Sequence, residues 1–170
     1  MDKEILIPTS WEDVTLGEFI ELSKLDMADF ESPVDYYIQM LTLLGNQDIE
    51  DIKEFLKLTD LTAIISEMVF INEAPKELDN KEVTIDGQVY KLIPNLNNIT
   101  LGEYVSIESL IERDKLNSIS SIPAILSVIL RPEGEEFNSD IVEDRMRLFK
   151  EKLSIEDVLG MSLFFSLGVR

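Results

Sequence analysis

Carboxylates are the only side chains in this sequence numerous enough to suggest acid–base or cation chemistry. There are 34 Asp and Glu against 15 Lys and Arg, with no histidine and no cysteine. Without histidine the chain lacks the commonest general base and the commonest transition-metal ligand. Without cysteine it has no thiolate nucleophile and no disulfide framework. What remains is the chemistry of two placed carboxylates, or of several sharing a hard cation. Among 34 such residues, close pairs arise from composition alone, and their spacing puts most of them on solvated helix faces. The acidic stretch Glu133-Gly134-Glu135-Glu136 lacks the alternating ligand spacing of a Ca²⁺ loop. There is no Gly-rich phosphate cradle and no G-x-S-x-G elbow. The sequence therefore assigns no catalytic residue, no metal ligand and no cofactor, and the expectation is a protein that is not an enzyme.

One motif occurs twice. Val14-Thr15-Leu16-Gly17-Glu18-Phe19 is matched by Ile99-Thr100-Leu101-Gly102-Glu103-Tyr104, and each copy follows a Leu-Ile-Pro triplet, Leu6-Ile7-Pro8 or Leu92-Ile93-Pro94. Thr15 with Glu18, and Thr100 with Glu103, have the spacing of a helix-capping box, in which each side chain satisfies a backbone N–H near the other. Gly17 and Gly102 fall in the first helical turn, where glycine costs about 1 kcal/mol relative to alanine. Their recurrence predicts a close backbone approach, most simply by the proline-bearing turn. Anion binding at the helix start is the functional alternative, and the adjacent Glu18 and Glu103 oppose it.

The elements around these motifs follow from periodicity. Pro8-Thr9-Ser10-Trp11 reads as a turn, with Trp11 packing back on the first helix. Helical spacing then places Leu16, Phe19, Ile20, Leu22 and Leu25 on one face. Ser32 and Pro33 open a second helix closed by Gly45-Asn46. A short helix runs from about Ile49 to Leu58, with Ile52, Phe55 and Leu56 inward. Thr59 caps a fourth, with Leu61, Ile64, Ile65, Met68 and Val69 inward. The period then changes to two, and Glu82–Asp86 and Val89–Ile93 flank Asp86-Gly87-Gln88 as a β-hairpin, with Gly87 supplying positive φ. A hairpin alone is marginal, so Glu4–Ile7 is expected to join it.

After the hairpin the plan repeats. Thr100 opens a helix with the apolar positions Leu101, Tyr104, Val105, Ile107, Leu110 and Ile111. Ser118–Leu130 is strongly apolar, and Pro123 either starts a helix near Ile122 or kinks it. Asn138 or Ser139 caps the next helix, and Ser154 with Asp157 caps the last. Leu58-Thr59-Asp60 aligns with Leu153-Ser154-Ile155, and the extra length of the second block falls in the loop Arg131–Phe137. The fold class is thus mainly α with a small antiparallel β element: two tandem, quasi-repeated helical blocks joined by a β-hairpin. The boundaries are residues 1–75 for the first block, 76–94 for the hairpin and 95–170 for the second, forming one compact unit.

Surface candidates are few. Tyr36 and Tyr37 beside Asp35 form one, and Met161, Phe164 and Phe165 on the nearly all-apolar last helix form another, with the core as the competing place for the latter. A net charge of −19 with scattered Lys and Arg argues against direct nucleic-acid binding and against anionic membrane surfaces. No apolar run reaches the length of a membrane span, about 20 residues. A basic protein surface is compatible with this charge, as is plain solubility.

The pattern Pro8-x-x-Trp11-x-Asp13-Val14-Thr15-Leu16-Gly17-Glu18-Phe19, a helical block, a hairpin, then Asn98-Ile99-Thr100-Leu101-Gly102-Glu103-Tyr104 resembles small acidic morphogenesis proteins of tailed bacteriophages. These include tail assembly chaperone-like and crAss-like phage virion-associated proteins. The resemblance implies a non-enzymatic structural or assembly protein of neck, tail or capsid, acting by protein–protein interaction. Its partners would be other phage structural proteins, with self-association open, and its place the host cytoplasm during assembly, with or without retention in the virion. The alternative is an acidic regulatory or inhibitor module that binds a basic host protein.

Overall fold

A computed structural model describes residues 7–45, 47–73, 81–93 and 98–162. It is mainly helical, with a small three-stranded antiparallel sheet. The contacts divide the chain into two compact units. The first comprises 1–14 and 18–75, the second 15–17 and 76–170. The hairpin belongs to the second unit rather than standing as a connector. The first motif copy is split as well, for Thr15–Gly17 is counted with the second unit.

Helix α1 spans Leu16–Leu22, α2 Pro33–Leu44, α3 Ile49–Phe55 and α4 Leu58–Glu67. Ser32 caps α2 by accepting from the Asp35 N–H, with Pro33 in the first turn, where its missing N–H costs nothing. Within the first unit, Met40, Leu41, Ile52, Leu61 and Met68 are buried. Trp11 packs edge-on against Phe19 and Phe70 and donates its Nε1–H to the Glu73 carbonyl at 2.8 Å. The expected inward positions Phe55 and Val69 are instead exposed. α3 reaches the core through Ile52, which leaves Phe55 open at the helix end. α4 stops at Glu67, and the tighter 3₁₀ turn Val69–Asn72 carries Val69 outward. α4 also starts one residue before Thr59, with Lys57 at the cap position.

In the second unit, strands β1 (Glu82–Ile85) and β2 (Gln88–Leu92) pair so that Ile85 faces Gln88 across a two-residue turn. Asp86 and Gly87 both have positive φ, 48° and 82°, the requirement of the type I′ turn that matches strand twist. Among the described residues the third strand is β3, Leu130–Arg131, with Leu92 opposite Leu130. Residues 4–6 lie outside the described residues, and Ile7 is not in a strand.

Helix α5 spans Leu101–Asp114, α6 Ile122–Ile129, α7 Val142–Lys152 and α8 Ile155–Ser162. Pro123 sits in the first turn of α6 and produces no kink. Ile107 and Leu110 of α5, Ala124, Val128 and Ile129 of α6, and Val142 of α7 form one core cluster. α6 runs straight into β3, so the most apolar segment of the chain is also what completes the sheet.

Candidate interaction surface

The two motif copies do different work. In the second unit the first copy is docked on the corner between α7 and α8. The Leu16 N–H donates to the Leu153 carbonyl at 2.8 Å, and Thr15 forms an antiparallel bridge with Ser154. A Cβ on Gly17 would stand 2.9 Å from the Lys150 carbonyl oxygen. The close approach expected of Gly17 is therefore present, but its partner is helix α7 rather than the proline-bearing turn. Leu16, Leu153 and Ile155 are all buried to within 1 %.

The second copy is a complete capping box. Thr100 Oγ1 accepts from the Glu103 N–H, and Glu103 Oε2 accepts from the Thr100 N–H and hydroxyl, at 2.7 and 2.9 Å. The other oxygen, Oε1, pairs with the Arg131 guanidinium of β3 at 2.8 Å. Glu103 is 4 % exposed. Burial works to raise its pKa, but the Thr100 hydrogen bonds and the Arg131 charge outweigh it and hold the carboxyl below the usual range. Glu103 thus ties α5 to the sheet and is taken up by structure. Among the described residues the nearest atom to a Cβ at Gly102 is Thr100 Oγ1 at 4.0 Å. No close approach to Gly102 is present among the described residues, and Pro94 of the expected turn lies outside them.

Leu101, Tyr104 and Val105, apolar positions of the helix that Thr100 opens, are 78 %, 52 % and 50 % exposed. The buried side of α5 runs through Glu103, Ile107 and Leu110, which turns Leu101, Tyr104 and Val105 to the opposite side at helical spacing. Glu108 and Glu112, both exposed, continue the same face. Beside it a shallow groove of about 240 Å³ is lined by Val105, Ser106, Leu110 and Val142, with the Arg113–Glu143 ion pair at its rim.

The surface residues proposed from the sequence fare less well. Tyr36 and Tyr37 are half-buried, stacked edge-on in a row with Phe30. Met161 is fully buried and belongs to the core, because α8 turns Ile155, Val158 and Met161 inward together. Phe164 and Phe165 lie outside the described residues. The acidic loop is pinned by cations. Glu133 pairs with Lys91 at 2.8 Å and Glu135 with Arg145 at 2.6 Å, while the Arg145 guanidinium lies over the Tyr90 ring. Among the described residues no cluster of three or more Asp or Glu could hold a metal ion, and no helix is long and apolar enough to cross a membrane.

No protein-family model, curated protein or solved structure matches this chain.

Proposed function

We propose that this chain is a non-enzymatic assembly protein of a tailed bacteriophage, a neck, tail or capsid-associated component or a tail assembly chaperone, that works by protein–protein contact. One observation carries the reading. The outer face of α5 spends Leu101, Tyr104 and Val105 on solvent, and a large apolar patch left open in this way marks a site of contact. The resemblance of the two Thr-Leu-Gly-Glu blocks to small acidic phage morphogenesis proteins supplies the setting. The net charge of −19 favours a second reading, an acidic regulatory module that binds a basic host protein.

The test is affinity capture from infected cells, set beside a protein inventory of purified particles. The assembly reading expects an identified tail, neck or capsid protein to be captured by the wild-type chain and lost with Leu101→Asp plus Tyr104→Asp. Presence in the particle at fixed stoichiometry would make the chain a subunit, and absence would make it a chaperone. Capture of a basic host protein in place of any particle protein would sink the assembly reading and support the regulatory one.

A further inference from the structure

The corner that receives the first motif copy has a counterpart in the first unit, and that counterpart is open. α7 ends at Lys152, Leu153 follows as an extended cap (ψ 132°), Ser154 caps α8, and α8 starts at Ile155. α3 ends at Phe55, Leu56 follows as an extended cap (ψ 122°), Lys57 stands at the cap position, and α4 starts at Leu58. A single spacing superposes Ile52 on Phe149, Lys53 on Lys150, Leu56 on Leu153, Leu58 on Ile155 and Leu61 on Val158. This register replaces the pairing of Leu58 with Leu153 expected from the sequence, because the one-residue caps fix where each corner turns.

The inner positions agree across the two corners: Ile52, Phe149, Leu61 and Val158 are all buried. The docking positions do not. Ile155 is completely covered while Leu58 is 67 % exposed. Over the open corner runs an apolar groove of about 160 Å³, lined by Ile38, Ile52, Leu56, Leu58 and Leu61, with Lys53 and Lys57 on its border. Among the described residues nothing is docked on the second motif copy: Leu101 is 78 % exposed and its N–H has no hydrogen-bond partner there.

The geometry points to a head-to-tail contact between copies of this chain, in which Thr100–Gly102 of one copy docks on the α3–α4 corner of the next. The contact repeats the filled one in the second unit. The Leu101 N–H donates to the Leu56 carbonyl, the Leu101 side chain enters the groove beside Leu58, and Gly102 lies against the Lys53 carbonyl. Charge favours the same pairing, since Glu108 and Glu112 continue the Leu101 face and Lys53 and Lys57 border the groove. In a chain of net charge −19, this is a place where a second copy meets opposite charge rather than like charge. Because the two surfaces differ, the contact is heterologous, and each added copy leaves one motif and one corner free until a ring closes. The inference rests on the outer face of α5 being a docking surface and names a second copy as its occupant.

Sedimentation velocity over a concentration series tests it, using three chains: wild type, Gly102→Val and Leu58→Glu. A Cβ at position 102 meets nothing nearer than 4.0 Å among the described residues, but with Gly102→Val the motif cannot approach a carbonyl, and Leu58→Glu puts a charge in the groove. The expected result is a wild-type mass that grows with concentration and two variants that stay monomeric. An equal mixture of the variants forms dimers and nothing larger, because only one productive motif–corner pair exists between them. Should either variant fail a melting check, Lys53→Glu with Lys57→Glu replaces the corner variant and Glu108→Lys with Glu112→Lys the motif variant, and their mixture regains association by charge exchange. A wild-type chain that is monomeric at every concentration overturns the contact, as does growth unaffected by both variants or a mixture that stays monomeric. A monomeric chain that still captures a particle protein through Leu101 and Tyr104 overturns this contact and leaves the assembly role standing.

Discussion

Gly17 faces Lys150 so closely that a Cβ at position 17 would lie 2.9 Å from the Lys150 carbonyl oxygen, a backbone atom held within α7. Real Cβ atoms do not come that near to backbone, so only glycine lets the first motif copy seat on the α7–α8 corner. The same glycine in the second copy meets nothing nearer than 4.0 Å among the described residues. One sequence motif therefore serves as a seated contact in one place and as an exposed helix start in the other.

Alanine scanning of the two glycines should separate these roles. Gly17→Ala is expected to destabilise the fold by about 1–3 kcal/mol, because α7 must shift to admit the methyl group. Gly102→Ala should be neutral or stabilising by about 0.5–1 kcal/mol, since a helical glycine is replaced with no clash. Urea unfolding of both variants checks this, and equal effects would show that the approach to Lys150 is not what restricts position 17.

Removing the charge of Glu103 should cost more than removing its capping partner. Glu103→Gln leaves Arg131, which is largely buried, facing a neutral amide, with an expected loss of about 1–3 kcal/mol. Thr100→Ala removes the N-cap acceptor and one of the two Thr100 donors to Glu103 but leaves the Arg131 pair, and should cost about 1 kcal/mol. The same denaturation measurement ranks them, and a larger loss for Thr100→Ala would put the weight on the cap rather than on the link to β3.

Stability should fall on acidification in a window set by Glu103. Its folded carboxyl lies below the ordinary value of 4.5, so the folded state binds fewer protons than the unfolded state. That contribution is fully present above pH 4.5 and is lost as pH drops through the folded value. Asp13 acts in the same direction, lowered first by the Thr9 backbone N–H. Thermal melts at about pH 7 and about pH 3.5 should show the drop, and Glu103→Gln should show a smaller one.

Trp11 reports on the first unit alone. Its indole N–H bonds to the Glu73 carbonyl and its ring meets Phe19 and Phe70, all within that unit. Trp11→Phe keeps an aromatic ring but loses the hydrogen bond, with an expected cost of about 1 kcal/mol. In the wild-type chain, an emission change that precedes or follows the circular-dichroism transition would show that the two units unfold separately.

Much of the architecture was legible from local rules. Ser32-Pro33, Thr100 with Glu103, Asp86-Gly87 and Ser154 with Asp157 each encode an element boundary through backbone geometry and one short side chain. Their action is confined to a few residues, so the sequence displays it. Pro123 was legible to the same degree, as a helix start or a kink, and the structure makes it a start.

The surface was not legible. Periodicity marked Leu101, Tyr104 and Val105 as apolar but could not say that Glu103, Ile107 and Leu110 would take the inner side of α5. That choice depends on Arg131, which lies on a strand created only when α6 runs into the sheet. Phe55 and Leu58 were equally opaque: Phe55 is open because α3 reaches the core through Ile52, and the exposure of Leu58 depends on what stands over the corner. Met161 went the other way and was absorbed into the core.

What the sequence determined by itself is the class of fold, the capped helices, the hairpin and the presence of a repeated motif, since each arises from interactions among near neighbours. Tertiary structure decided that β3 pairs with the hairpin, that Gly17 stands against the Lys150 carbonyl, and that one corner is filled while its counterpart is open. These depend on which distant surfaces meet, and burial is a property of both partners at once.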